Sequence, residues 1–367
     1  MLTLGVFIMD LAIYGAQGYA LGAYEAIRCL QPEKNIVCFL VTRMGNNAAE
    51  LGGLLVKEIE PFAESLSDAQ KKEIQILIAT PENVQDEIEK TVEEYGFSDH
   101  VRLTSELWDE MMRKYYSQVG RFSPLQDLPA GESRASVHIY MAKSHKDRPL
   151  KNNVALPEYM QPVQVGAANT DEVIANIRDD SGENISKKNG NYCELTGLFW
   201  VWKNVLCEGA DKDEYYGFAQ YRRTLMLSDE DLLRLTKEQV DVVLPYPLLY
   251  EPDINMHHDR YIKDADWDAM LSAVREIHPE YSDALDVILR QRYLYNYNVI
   301  LAKKEVLREY CEWLFPILER TEELSVPKGC DRSDRYIGYM GETLETLYFM
   351  KNSDRLKVAH TGCKLHI

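Results

Sequence analysis

The sequence predicts an α/β protein of two domains, one over residues 1–130 and a second over residues 131–367. Three observations predict it. Short apolar runs alternate with amphipathic or alanine-rich segments from Leu11 to Gly96, and again from Val137 onward. A helical segment around Trp108 to Tyr116 and a stretch bearing proline and glycine, Ser123 to Gly131, separate the two series as a linker. The length of 367 residues, 46% of them hydrophobic, exceeds what one core usually serves.

The first series opens with a strand from Leu11 to Tyr14 that runs into Gly15-Ala-Gln-Gly18-Tyr-Ala-Leu-Gly22. A helix from Ala23 to Leu30 and a second strand from Ile36 to Val41 follow. Glycines at such a turn let backbone amides face a phosphate at a helix N-terminus, so Gly15, Gly18 and Gly22 are candidate nucleotide contacts. The alternative is a tight turn with close helix–sheet packing. The spacing is not that of the dinucleotide fingerprint, and Thr42-Arg43 stands where a ribose-binding acid is expected for NAD. Ser67 and Gln70 predict a capping box. Ile74 to Ala79 predicts a buried parallel strand, and Thr80-Pro81 caps a helix from Glu82 to Tyr95 that Gly96 stops. The order is that of a Rossmann-like unit. It resembles the small N-terminal domain of sugar-nucleotide acyltransferases, in which a glycine-rich turn and an "IATPEN"-like segment also precede a long helix. Another helix is expected around Trp108 to Tyr116.

Composition removes several function classes. A formal net charge of -18 argues against a nucleic-acid partner, which needs broad basic surface. It leaves room for one small basic pocket. Seven scattered cysteines without metal spacing read as reduced thiols of a cytoplasmic protein. The longest apolar stretch lies near the N-terminus and is broken by Asp10, so neither a signal peptide nor a membrane span is expected.

The second series begins with a strand from Val137 to Met141, ending in a polar, basic tip that includes Lys146, where His145 is a candidate nucleotide contact or an inert loop residue. The stretch that organises the chain runs from Asp179 to Arg223. A polar loop leads into an apolar helix starting near Tyr192, on which Leu195, Leu198, Trp202 and Val205 share one face and Tyr192, Thr196, Phe199 and Lys203 another. A strand from Tyr215 then ends on Tyr221-Arg222-Arg223. Guanidinium forks match phosphate geometry, so Arg222 and Arg223 are candidate anion ligands; a solvated strand end is the alternative. Asp180, Asn184, Lys188 and Asn189 supply hydrogen-bonding groups before the helix. Glu194 fits either a ligand role or a capping box with Asn191. Ser228 and Asp231 predict a further capped helix, and Val242 to Leu244 a buried strand. Residues 246–268 show no helical rhythm before Trp267. There His257, His258 and Asp259 lack a third ligand at zinc spacing, and adjacent histidines on a strand point apart, so no metal site is expected. Tyr293 to Leu301 reads as one strand with Asn296 and Asn298 on the same face. A helix is expected from Arg332 to Met350, burying Ile337, Met340, Leu344 and Leu347. Its other face carries Arg335, Tyr339, Glu342 and Thr346; Glu342 is a candidate general base or part of a solvated face.

The series NIS-K-N-x-YCELTG-x-W-WKN followed by G-x-YRR resembles a bacterial family of capsular and exopolysaccharide glycosyltransferases. Tyr159-x-Gln161-Pro162-x-Gln164-Val165-Gly166, Asp241-Val-Val-Leu-Pro245, Asn296-Tyr-Asn298, Tyr310-Cys311-Glu312-Trp313-Leu314-Phe315 and Ile337-Gly338-Tyr-Met-Gly-Glu342 extend the likeness from about Val137 to about Lys351. That family's core was long catalogued only as a domain of unknown function. The resemblance implies a GT-A-like nucleotide-sugar-binding domain that moves a sugar from a nucleotide sugar, with a UDP-sugar favoured, to a glycan or lipid-linked acceptor. Contact with a membrane through such an acceptor would be peripheral, and no oligomeric state is assigned. On this reading Arg222, Arg223 and Glu342 are catalytic. The donor meets His145, Lys146, Asp180, Asn184, Lys188, Asn189, Tyr192, Glu194, Lys203 and Tyr221, and the acceptor meets His258, Asp259, Asn296 and Asn298. Two departures stand out: Gln220 where histidine is expected before Tyr-Arg-Arg, and Glu342-Thr343-Leu344 where Glu-Arg-Leu is expected. Neither Asp211-Lys-Asp213 nor Asp264-Ala-Asp266 follows an apolar strand, so no metal ligands are assigned and arginine and lysine are expected to replace a divalent metal. A non-catalytic nucleotide-sugar-binding scaffold and an NAD(P)-dependent oxidoreductase using the first domain are the rival readings.

Overall fold

The computed structural model describes residues 9–151, 155–206, 214–329 and 332–367. The expected Asp211-Lys-Asp213 pair lies outside the described residues. The chain divides into two compact units, one of residues 1–121 with 248–251 and Ile367, the other of residues 122–247 with 252–366.

The first unit is built on β1 (Asp10–Tyr14), α1 (Gly18–Leu30), β2 (Ile36–Val41), β3 (Glu50–Leu51), β4 (Leu54–Glu58), α2 (Ile59–Glu64), α3 (Asp68–Lys71), β5 (Ile74–Ile78), α4 (Glu82–Glu94), β6 (His100–Arg102) and α5 (Ser105–Val119). Its sheet has the order β3-β4-β2-β1-β5-β6, parallel except for the two-residue edge strand β3. Parallel strands covered on both faces read as continuous apolar runs, which is why β1, β2 and β5 were legible. The capping box of Ser67 with Gln70 forms. Thr80 makes no cap bond to α4, whose N-cap is Pro81.

All three glycines of the first turn serve close packing. A Cβ on Gly15 would stand 2.6 Å from the Ala79 carbonyl oxygen, and one on Gly18 would stand 2.8 Å from the Leu248 Cβ. A Cβ on Gly22 would stand 2.4 Å from the Trp108 ring on α5. Tyr14 and Thr42 share a hydrogen bond of 2.7 Å where an NAD-binding acid would stand. Gly22→Val should therefore cost about 2 kcal/mol or more through overpacking against Trp108, measurable as a lowered urea midpoint.

The second unit contains β7 (Ser136–Lys143), β8 (Met160–Gln164), β9 (Ile177–Arg178), α6 (Asn189–Tyr192), α7 (Leu195–Asn204), β10 (Glu214–Gln220), β11 (Arg223–Leu225), α8 (Asp229–Lys237) and β12 (Val242–Pro245). The short strand β13 (Leu248–Leu249) belongs to the first unit. The second unit continues with α9 (Ile254–His257), α10 (Asp264–Ile277), α11 (Ser282–Ile288), β14 (Tyr293–Leu294), β15 (Ile300–Lys303), α12 (Lys304–Leu324), α13 (Tyr336–Lys351), β16 (Val358–Thr361) and β17 (Cys363–Leu365). Its main sheet has the order β16-β12-β15-β10-β7-β8-β9, with β11 joining β10 to β17. Strands β7 to β10 run parallel, while β15 runs against β10 and β12. The register pairs Gln220 with Ala142, so β7 and β10 end side by side. The segment 123–131 is packed: Leu125 is fully buried and Ser123 accepts the His360 amide.

Four local expectations are corrected. The helix expected from Tyr192 is broken at Cys193, whose φ of 53° separates α6 from α7, and Thr196 falls on the buried face. The strand expected from Tyr293 to Leu301 is broken in the same way: Tyr297 and Asn298 take φ of 81° and 50°, leaving β14 and β15 on either side. The final helix starts at Tyr336, so Arg332 and Arg335 lie before it; its apolar stripe is buried as expected. His257 and His258 sit on α9 and a following 3-10 turn (His258–Arg260), so they do not lie on a strand and the stretch is helical before Trp267. The Ser228–Asp231 capping box forms.

Asp266 is buried on the first turn of α10 and grips Arg332 through two hydrogen bonds of 2.9 and 2.5 Å. Removing one partner of such a pair leaves the other charge uncompensated. Asp266→Ala should thus destabilise the second unit by about 3 kcal/mol, read by chemical unfolding. Among the described residues, no helix is long and apolar enough to cross a membrane.

Candidate functional site

The tight turn after β10 sends its two arginines to different neighbours. Gln220 pairs with Arg223 across the turn, and the Tyr221 amide donates to the Ala142 carbonyl at 2.9 Å. Arg223 is buried, its guanidinium 4.1 Å from the centre of the Tyr297 ring. Arg222 is partly exposed, and its Nε has no hydrogen-bond partner among the described residues. It lies with Lys143 and His145 around Asp147, whose carboxyl is pushed up to about 6 by burial, against the Ser144 amide, Lys143, Arg222 and His145. His145 Nδ1 also lacks a partner among the described residues.

Beside this turn stands a group of carboxyls. Glu194, just before α7, accepts Gln220 Nε2 at 2.9 Å and Asn298 Nδ2 at 2.8 Å on one oxygen. Gln220 Nε2 also donates to the Tyr297 carbonyl at 2.7 Å, tying the strand end to the loop between β14 and β15. Glu342 on α13 accepts Asn296 Nδ2 at 3.0 Å. The positive φ of Tyr297 and Asn298 turns Asn296 and Asn298 onto these two glutamates. Gly341 permits the approach: a Cβ there would stand 2.7 Å from Leu195 and 2.8 Å from Asn298 Oδ1. Burial first and the Glu194 charge second raise the Glu342 carboxyl to about 7, against Asn296, the Tyr297 amide and Arg223. Burial also raises Glu194. One turn along α13, Glu345 is buried, has an oxygen without a partner among the described residues, and is held well above the usual carboxylate range by burial and the two other glutamates. A base that must take a proton near neutral pH needs such a setting.

The remaining sequence candidates are dispersed. Lys146 is exposed, its amide donating to Ser144 Oγ at 3.2 Å. Tyr221 stands under Arg222, 5.7 Å from ring centre to guanidinium. Asp180 pairs with Arg178 at 2.6 Å, and Asn184 bonds the Gly182 carbonyl at 2.9 Å. Asn189 braces the break after α6 by donating to the Cys193 carbonyl at 2.7 Å. Lys188 and the buried Tyr192 both hold Glu322, at 2.5 and 3.1 Å. Lys203 lies at the far end of α7 from Glu194, paired with Glu183 at 3.0 Å and set over Trp202. Glu194 makes no cap bond, so its hydrogen bonds to Gln220 and Asn298 replace the capping box. His258 meets Asp259 at 3.1 Å and Asp264 at 3.3 Å and stacks on Trp267. Asp264 is the third neighbour the sequence spacing did not offer, and these three ligand atoms lie within 4.8 Å of one another. His258 Nδ1 faces the Asn255 carbonyl, leaving Nε2 toward the two carboxylates; the donor set fits a divalent cation at an exposed position.

Sequence reasoning missed Glu345, Asp147, Arg335 and the part played by Gln220. Arg335 donates from Nε to Cys193 Sγ at 3.3 Å beside the carboxyl group. Its only signal was its place three residues before Gly338, on the face shared with Glu342.

Residues 138–353, more than half of the chain, match the family described as "Domain of unknown function (DUF4422)", and the chain belongs to that family. Among solved structures it is similar to the apo structure of WbbM, a bifunctional glycosyltransferase, at 29% identity and a TM-score of 0.53. That similarity covers 63% of this chain and 45% of the WbbM chain, so this chain spans less than half the length of that protein. The mixed α/β fold is therefore similar to that of a glycosyltransferase. No curated protein matches the chain.

Proposed function

We propose that this chain is a glycosyltransferase, moving a sugar from a nucleotide-sugar donor, a UDP-sugar in the first instance, to a glycan or lipid-linked acceptor in capsular or exopolysaccharide synthesis. The observation that carries the reading is Glu342: a carboxyl raised to about 7, near Arg223 and near Glu194, which Gln220 at the end of the parallel strand β10 holds, in a fold similar to that of WbbM. Ligands gather beyond the carboxyl ends of such strands.

In this reading Glu342 takes the proton of an acceptor hydroxyl as its oxygen bonds to the anomeric carbon. The bond from that carbon to the diphosphate oxygen breaks, and the nucleoside diphosphate leaves with the electron pair. Arg222 and Arg223 meet the growing negative charge on the diphosphate. Asn296 holds Glu342, while Asn298 and Gln220 hold Glu194, so the two carboxyls keep their places during proton transfer. The test is nucleoside diphosphate release from a panel of UDP-sugars, with and without oligosaccharide acceptors. Acceptor-dependent release supports transfer. Donor binding without release in any pairing points to the scaffold reading.

A further inference from the structure

Three groups that accept hydrogen bonds meet at the start of α10. Asp259 Oδ1 lies 3.1 Å and Asp264 Oδ1 3.3 Å from His258 Nε2, and the three ligand atoms fall within 4.8 Å of one another. The far side of the imidazole fixes its chemistry. His258 Nδ1 faces the Asn255 carbonyl, which can only accept, so Nδ1 carries the proton and Nε2 of the neutral ring turns a lone pair on two carboxylates. The ring is held in that pose. Only 9% of the side chain is exposed, and it stacks on the buried Trp267 with ring centres 4.3 Å apart. Trp267 Nε1 in turn donates to Asn255 Oδ1 at 3.0 Å, fixing the residue behind the ring. A histidine whose second nitrogen donates to a carbonyl behind it is oriented as metal ligands are.

Distance and charge both suit a cation. Bonds of about 2.1 Å at roughly 90° to 110° place neighbouring ligand atoms about 3.0 to 3.4 Å apart, which matches the two contacts of His258. Asp259 and Asp264 are 58% and 87% exposed, so an ion and its remaining waters reach them from solvent. Neither carboxylate pairs with a lysine or arginine among the described residues, although Arg260 and Lys263 share the loop. We propose that His258, Asp259 and Asp264 hold a divalent cation of the zinc or manganese class, which closes residues 258–264 into a fixed loop. Inside that loop the half-exposed Tyr261 stacks on Tyr339 of α13, ring centres 5.0 Å apart, and Tyr339 stands three residues before Glu342. The ion therefore fixes an aromatic wall near the carboxyl site, and His258 and Asp259 serve the ion rather than an acceptor directly. The ion site stands whether or not the chain transfers a sugar.

The experiment is calorimetric titration of the full chain, stripped with EDTA and dialysed, with manganese chloride and with zinc chloride. At least one of the two ions should bind, one per chain, in the micromolar range. Asp259→Asn and Asp264→Asn, both at exposed positions and both close in shape to the parent, should each weaken it about tenfold or more. Thermal unfolding confirms that both variants are folded. Trypsin gives a second readout, because Arg260 and Lys263 place its cleavage sites inside the loop. The bound ion should slow cleavage after these two residues about tenfold or more in the parent and leave both variants unprotected. Failure of both ions to bind overturns the proposal; the cluster would then be an imidazolium between two carboxylates. Binding unchanged in either variant overturns it too, since the ion would sit elsewhere, as does a loaded parent cut after Arg260 and Lys263 as fast as the stripped one. No donor sugar is present in these measurements, so their failure and the failure of the transfer reading are distinguishable.

Discussion

Glu342→Gln is expected to lower the rate of sugar transfer about a hundredfold or more while leaving donor binding intact. Glutamine keeps the size of the side chain and can still meet Asn296, but it cannot accept the acceptor proton. In the unaltered protein the rate should rise as pH passes through about 7, because the base acts only when deprotonated. Stability should move the other way. The raised carboxyl binds a proton in the folded state that the unfolded chain has already released above its ordinary value of 4.5. Its contribution is full below that value and is lost as pH climbs through about 7. Buried Glu345 adds to the same trend through its own raised carboxyl. Glu342→Gln should therefore be more stable than the parent at pH 8 and far less active, an exchange expected at a site that keeps a carboxylate under cover. Rates against pH and urea unfolding at pH 5 and pH 8 check both halves. Full activity in the glutamine variant would move the base elsewhere, with Glu194 the first residue to examine.

What was legible in the sequence follows from what has a local cause. The strands β1, β2 and β5 are apolar runs apart from Asp10 at the start of β1 and Gln75 in β5, and the capping boxes at Ser67 and Ser228 are contained within four residues each. The breaks at Cys193 and at Tyr297–Asn298 had no such cause. Neither carries glycine, so the positive φ there is imposed by tertiary contacts: Asn189 and Arg335 at the first, Gln220 and Glu194 at the second. Those same breaks assemble the carboxyl site, which is why its pieces were named but its geometry was not. Glu342 was weighed against a solvated helix face because polar residues recur there at helical spacing; the loop carrying Asn296 and Asn298 covers that face. Glu345 drew no notice because a glutamate one turn further on reads as one more solvent contact until the burial is known.

The arginine pair gives the second large effect, and its two members should fail differently. If Arg222 and Arg223 carry the diphosphate charge, alanine at either position should cost at least ~2 kcal/mol of transition-state stabilisation, roughly thirtyfold in rate. Lysine should restore only part of it, since an ammonium lacks the planar fork. The pH profile separates them. Arg223 holds the Glu342 carboxyl down against burial, so Arg223→Ala should push the rising limb of the profile above the parent's value of about 7. Arg222 stands instead beside Asp147, and Arg222→Ala should lose rate without moving that limb. Activity that persists in EDTA accords with arginine in place of a metal, whereas complete loss with rescue by manganese refutes it and directs attention to His258, Asp259 and Asp264, the cluster of possible ligands found among the described residues. A flat response to both alanine variants would mean that the turn after β10 does not meet the donor. The raised carboxyl at Glu342 would then belong to an acid–base site whose charged substrate enters from another side.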